Sequence, residues 1–347
     1  MPRVHDARPA EGYVLHVYGK DAYVRHAVAS VLTLRRHDAS RPVALYCTES
    51  QKALLESENL DLLFERIEIL PEAHRSIVGF KHHLYRFKPY QRTLFVDADM
   101  VWCKNPDGLW QTLSAYEFTG TGLERADAFF GASKGAGIVL DWLFDRRRKT
   151  MRAFGLTHLP RVQGGMLYAA DDETTRTVCE LAQAFLARRG ETHFRSRLQE
   201  GRSEESCEWS LACALSRMRL PVLPWHQGYT SPQLDYLTGL VQHDADFQHV
   251  LVRYYCDRFV YSLRGIGNRP LRGALLRLAT SLPGKGDYLD VTPYVVHFGW
   301  KAHKAPYNDF ADRVWADLTR PIVPPSDRAS GDGHATEADS IALALAA

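Results

Sequence analysis

The chain has 347 residues, 45% of them hydrophobic, and its 43 basic and 41 acidic side chains leave a formal charge of +2. That much apolar material buries a core in one large or two small domains, and a charge balance this even implies no nucleic-acid partner. No apolar run approaches the ~20 residues of a membrane span, and the opening MPRVHDARPAEG lacks the apolar stretch of a secretory signal. Six scattered cysteines without C-x-x-C or zinc-type spacing read as reduced core thiols, so a cytoplasmic protein is expected.

YVLHVYG (13–19) predicts a first strand ended by Gly19, and Asp21 opens an amphipathic helix with Tyr23, Ala27, Ser30, Val31 and Leu34 at helical spacing. PVALYCT (42–48) is a second strand, 49–58 a second helix, and FERIEIL (64–70) alternates as a third strand should. Residues 74–90 read as a helix with Phe80, Leu84 and Phe87 on one stripe, followed by the strand TLFVDAD (93–99). Such strand–helix alternation predicts a mostly parallel, Rossmann-like sheet with helices on both faces. Farther on, 116–122 and 163–169 read as strands and 173–189 and 208–219 as helices. The stretch 264–286 reads as loop-like around a short basic amphipathic piece, and TPYVVHFGW (292–300) as an apolar strand. From residue 324 the composition turns to Ser, Asp, Gly and Ala, as in a disordered tail.

Asp97 and Asp99 stand at the tip of the fourth predicted strand, where ligands bind in sheets of this kind. Residues i and i+2 of an extended chain share a face ~6–7 Å apart, so the two carboxylates repel unless a cation or water lies between them. Three readings compete. In the first, the pair holds Mg²⁺ or Mn²⁺, and because Mn²⁺ also accepts imidazole, His297 at the end of another predicted strand joins them. The second takes DADMV as the nucleophile loop of a haloacid-dehalogenase-type phosphatase, although that loop normally lies on the first strand of its domain. The third takes GASKG (131–135) as the G-x-S-x-G elbow of a hydrolase with Ser133 as nucleophile, although the preceding ERADAFF is too charged for the strand it requires.

The passage KHHLYRFKPYQRTLFVDADMVWCKNPDGLW (81–110) resembles the core of the glycogenin-like and lipopolysaccharide galactosyltransferase-like retaining glycosyltransferases, which have the GT-A fold. A lysine sixteen residues before the first Asp, a tyrosine seven before it and a following N-P-D-x-L-W turn match at Lys81, Tyr90 and 105–110. GKDAY (19–23) with SVLTL (30–34) is similar to the family's start, and VVHFGWKAHK (295–304) to its H-F-x-G-x-x-K signature.

The resemblance implies Mn²⁺ (or Mg²⁺) held by Asp97, Asp99 and His297, and a UDP-sugar donor bound by Tyr18, Tyr23, Lys81, Ala98, Gly165, Gly299, Lys301 and Lys304. Gln163 stands where the family has a sugar-contacting Asn, and Glu208 or Glu205 supplies the carboxylate in place of its Asp–Gln pair. The expectation is one GT-A domain over 13–323 between a short arm (1–12) and the tail (324–347). It would transfer glucose or galactose, with retention, to a saccharide, lipid-linked or protein acceptor, with no nucleic-acid partner and at most peripheral membrane contact. A non-catalytic nucleotide-sugar-binding protein is the alternative. Individual residues have plainer readings too: a core histidine at 297, a snorkelling surface lysine at 81, a core tyrosine at 23. For both 146–149 and 269–282, a solvated helix is preferred over an acceptor or lipid contact.

Overall fold

The computed structural model describes residues 8–126, 143–194, 197–198, 201–256, 263, 266, 268–283 and 285–320. The tail and the GASKG stretch with Ser133 lie outside the described residues, as does the arm before residue 8.

Strands β1 (Glu11–His16), β2 (Val43–Cys47), β3 (Arg66–Ile69) and β4 (Arg92–Val96) are mutually parallel in the order β3-β2-β1-β4. Beyond β4 the sheet changes direction. β7 (Arg161–Ala169) runs antiparallel to β4, β6 (Phe118–Leu123) antiparallel to β7, and β8 (Leu223–Pro224) parallel to β6. Four of the six pairings are therefore parallel.

Alternation along the strands gives the sheet two buried faces. Tyr13 and Leu15 of β1 and Leu94 and Val96 of β4 enter the core that receives Val24, Val28 and Val31 of helix α1 (Ala22–Arg35). Val14 and Phe95 enter the opposite one with Phe80, Val178 and Leu211. Helix α2 (Glu49–Ser57) starts at Thr48, whose side chain accepts from the Gln51 amide in a capping box.

The helix expected over 74–90 is instead one α turn, α3 (Ile77–Lys81), flanked by 3₁₀ turns at Glu72–His74 and Leu84–Arg86. The carbonyl of Gly79 would have to accept the amide of residue 83 for the helix to continue. It is taken by the imidazoles of His74 and His83, each 2.8 Å away, while the His83 amide turns to Phe80. Phe80, Leu84 and Phe87 are nevertheless all buried. The strand expected over 292–300 shrinks to β13 (Val295–His297). It lies between β5 (Met100–Trp102), antiparallel, and β9 (Gln233–Asp235), parallel. This small sheet brings the end of the chain against the Asp97–Asp99 turn.

The third sheet and the last helix had no counterpart in the sequence reading, whereas a helix was expected at 269–282. β10 (Val241–His243), β11 (Val250–Tyr255) and β12 (Tyr288–Val291) form a third sheet. The segment read as loop-like contains a helix over Arg269–Ser281, and another helix over Ala305–Leu318 packs on α1. All six cysteines are unpaired thiols, five of them buried. Among the described residues no helix is long and apolar enough to cross a membrane.

Candidate functional site

The two carboxylates leave the sheet where β4 ends. The Asp97 amide donates to the Gly165 carbonyl of β7 at 2.9 Å, and the Phe298 amide donates to the Asp99 carbonyl at 2.9 Å, tying the turn to both neighbouring strands. Three cationic groups neutralise the pair. Lys81 Nζ lies 2.6 Å from Asp97 Oδ1, Lys304 Nζ 2.7 Å from Asp99 Oδ2, and His297 Nε2 3.4 Å from Asp99 Oδ1 and 3.8 Å from Asp97 Oδ2. One ligand atom from each of Asp97, Asp99 and His297 falls within 4.8 Å of the other two. The repulsion foreseen in the sequence is thus resolved by lysines on both flanks and an imidazole at the centre.

Burial opposes charge here, and the partners outweigh it. Desolvation would raise the Asp99 carboxyl, yet Lys304 and His297 hold it well below its usual value. Desolvation would likewise lower His297, but Asp99 and Asp235 push it up to about 10. Lys81 is raised against its own burial by Asp97. Its ammonium also donates to the Gly164 carbonyl at 2.8 Å, so it is a buried residue, only 8% exposed, and no snorkelling surface lysine.

A further layer orients His297. Asp235 Oδ1 lies 3.4 Å from His297 Nδ1, and Asp235 Oδ2 accepts from the Trp300 indole at 2.8 Å. Gln163 Nε2 is 2.8 Å from the same Nδ1, while its Oε1 accepts from the Gly165 amide and from Gln233. Gln163 lines the cleft, but its amide is engaged with protein groups. A β-carbon at Gly299 would stand 2.6 Å from His297 Cε1, so only glycine lets the chain pass the imidazole. At Gly165 it would meet Met100 and Gln163 at 2.9 Å.

Glu208 opens the helix Glu208–Met218 and faces a cavity of about 440 Å³ shared with Asp97, Asp99, Gln163 and His297. Its Oε1 accepts from the Gly164 amide at 3.3 Å. Burial raises its carboxyl to about 7, against the pull of that amide and of Arg161 and Lys81. Glu205 is placed differently. Its Oε1 accepts from the amides of Ser206 and Arg197 at 2.8 and 3.1 Å, and it lines neither this cavity nor its neighbour. Of the two candidate carboxylates, only Glu208 faces the cleft.

That neighbour, a cavity of about 760 Å³, adjoins the first across Asp97, Asp99, Arg197, Arg202 and Lys301. Tyr18, Tyr23, Ala98 and Lys304 line it, and Tyr23 is 42% exposed there, so it is no core residue. The Tyr18 hydroxyl donates to Glu204 Oε2 at 2.8 Å, and the Ile77 amide donates to the same oxygen at 2.9 Å. Gly165 and Gly299 line the smaller cavity. Asp235, Trp300, Glu204, Arg75, Arg197 and Arg202 escaped the sequence reading. The first two were hidden because a single acid or tryptophan on a short strand or turn has no pattern, the others because polar loops have no period.

No protein-family model matches the chain, and no curated protein matches it in sequence. Among solved structures, the fold is similar to the galactosyltransferase LgtC in complex with donor and acceptor sugar analogues, at 12% identity and a TM-score of 0.46, covering 91% of this chain and 98% of that one. It is also similar to the glycosyltransferase GlyE of Streptococcus pneumoniae (11% identity, TM-score 0.46, 89% of this chain and 62% of that one). The bifunctional glycosyltransferase WbbM matches at 10% identity and a TM-score of 0.45, over 92% of this chain and 51% of that one. Likeness at this level does not bear on activity, which has to be read from the residues of the cleft.

Proposed function

We propose that this protein is a glycosyltransferase of the GT-A kind that uses a divalent cation, Mn²⁺ or Mg²⁺, to transfer a hexose from a UDP-sugar with retention of configuration. One observation carries the reading. Asp97, Asp99 and His297 converge at the end of a parallel strand, with lysines on either side and the carboxyl of Glu208 across a shared cavity. The donor set suits the cation: two carboxylate oxygens and one imidazole nitrogen are acceptable to Mn²⁺, which leaves positions for diphosphate oxygens. The charge fits once the diphosphate is counted, because its oxygens bring negative charge to a site where Lys81 and Lys304 already offset the two carboxylates, and His297 would give up its proton to serve as a ligand.

When bound, the cation would supply Lewis-acid stabilisation of the diphosphate leaving group. The chain's own residues would do the rest. Lys81 fixes Asp97 against the Gly164 carbonyl, and Lys304 and Lys301 bring positive charge to where the departing oxygens gather. Tyr18 and Tyr23 border the larger cavity, which has room for the nucleotide. Glu208 lies across the shared cavity from the three proposed ligands, where its ionised carboxylate would offset the positive charge that develops at the anomeric carbon as the diphosphate leaves.

The test is acceptor-free turnover. Slow Mn²⁺-dependent release of sugar from UDP-glucose or UDP-galactose is expected, abolished in Asp97→Asn and Asp99→Asn and retained in Ser133→Ala. Inorganic phosphate release from a simple monoester would point to the phosphatase reading. Stabilisation by UDP without turnover of either donor would point to a binding protein.

A further inference from the structure

From residue 258 to residue 286 the sequence carries six basic side chains and no acidic one. Helix Arg269–Ser281 lies within this stretch, capped by Asn268, whose side chain accepts from the Leu271 amide at 3.0 Å. A surface helix ordinarily turns its polar side outward and its apolar side to the core. This one is apolar on both. Its inner side is made by buried Ala279 and by Leu276, which packs against the core between the third sheet and the last helix. Its outer side carries Leu271 and Leu278, 50% and 62% exposed, two turns apart and so in line. Ala274 is exposed between them, and Leu282, 52% exposed, extends the row.

Cations edge this row. Arg277 is exposed about 120° round the helix from it on one side, and Arg272 lies about 100° round on the other, half-buried and donating to the Ile266 carbonyl at 2.9 Å, while Arg269 is exposed on the side of Leu276. Just beyond the helix, Tyr288 and Leu289 are exposed as well, and of the acids there, Asp290 is paired with Arg253 at 3.2 Å.

We propose that this helix is a membrane-docking surface that lies flat on an anionic bilayer. Leu271, Leu278 and Leu282 enter the boundary of the acyl chains, and Arg277 reaches the lipid phosphates from the edge of the row. An exposed leucine row with basic margins and no acid is the pattern of an interfacial helix. The leucines favour a bilayer over a soluble polyanion, because only the bilayer takes apolar surface out of water. The basic character of the helix disfavours a second copy, because pairing two such helices would bring like charges together with no acid on either to offset them.

The experiment is flotation of the full chain with vesicles of phosphatidylcholine alone and with vesicles that also contain phosphatidylglycerol. Binding is expected to the anionic vesicles only and is released by salt. Leu278→Glu and Arg277→Glu should each lower partition by at least ~10-fold. Leu62→Glu, at a leucine that is 71% exposed elsewhere, should bind as the parent does. Absence of binding, equal binding to both vesicle types, or variants indistinguishable from the parent would overturn the proposal. So would a concentration-dependent dimer that Leu278→Glu splits without any vesicle binding, since a second copy would then own the face.

Discussion

Lys81 Nζ stands 2.6 Å from Asp97 Oδ1 and 2.8 Å from the Gly164 carbonyl, bridging the end of β4 to β7. A short helix thereby places a cation beneath the carboxylate that the proposed chemistry uses. The lysine is part of the wall of the cleft as well as of its charge.

Replacing Lys81 by alanine should therefore do two things. Donor affinity should fall at least ~10-fold, about 1.4 kcal/mol. Stability should fall too, by about 1–3 kcal/mol, because the Asp97 carboxylate and the Gly164 carbonyl both lose the ammonium they accept from. Calorimetry with UDP and thermal unfolding report the two effects separately. Parent-like values in both would remove Lys81 from the site.

Mn²⁺ should bind much more tightly when UDP is present, because the diphosphate completes a coordination shell that the protein only begins. Asp99→Asn should abolish most of that gain by deleting a charged ligand. Titration of Mn²⁺ with and without UDP measures it, and equal affinity in both conditions would contradict the assignment of the three ligands.

Asp235 touches His297 from behind and should act by orienting the ring. Asp235→Ala is expected to weaken Mn²⁺ binding in the presence of UDP by ~10–100-fold, the usual effect of losing the group behind a histidine ligand. Asp235→Asn, which can still accept from Trp300, separates loss of packing from loss of charge. If both variants bind Mn²⁺ as the parent does, the carboxylate has no part in positioning the imidazole.

Glu208 gives a dependence on pH with a definite sign. Its carboxyl ionises at about 7 in the fold against 4.5 unfolded. The unfolded chain loses this proton first, so the stabilisation is complete below pH 4.5 and is lost as pH rises to about 7. Glu208→Gln should flatten that part of the profile in thermal unfolding. An unchanged slope would mean that Glu208 is not the group responsible.

What the sequence could say about this molecule depended on the range of the interactions involved. The first four strands were legible because three are local apolar runs and the third alternates, and Asp97 and Asp99 because they end one of them. The length of the helix at 74–90 was not. Its stripe of Phe80, Leu84 and Phe87 is real and buried, but two imidazoles compete for the Gly79 carbonyl, and side-chain competition for one backbone group leaves no periodic trace. Residues β-paired over long separations were also out of reach. His297 could be nominated from its motif, whereas Asp235, its register partner in β9, sits on a three-residue strand too short to show alternation. The outward leucines of the basic helix were invisible for a related reason: an apolar stripe in a sequence does not say which way it faces.

The bond between Lys304 and Asp99 joins residues 205 positions apart. At ordinary rates of translation, about 10–40 s separate the emergence of the one from the other. During that interval a nascent chain presents two neighbouring carboxylates with neither His297 nor Lys304 to neutralise them, and the small sheet that closes the cleft lacks its central strand. The central sheet can begin to assemble from the ribosome outward, but the cleft cannot precede the last twenty-five or so residues of the described chain. A truncated product that stops before β13 would thus keep Lys81 beside Asp97 but lack both cations that face Asp99, and two of its cores would be short of the residues that β13 and the last helix supply.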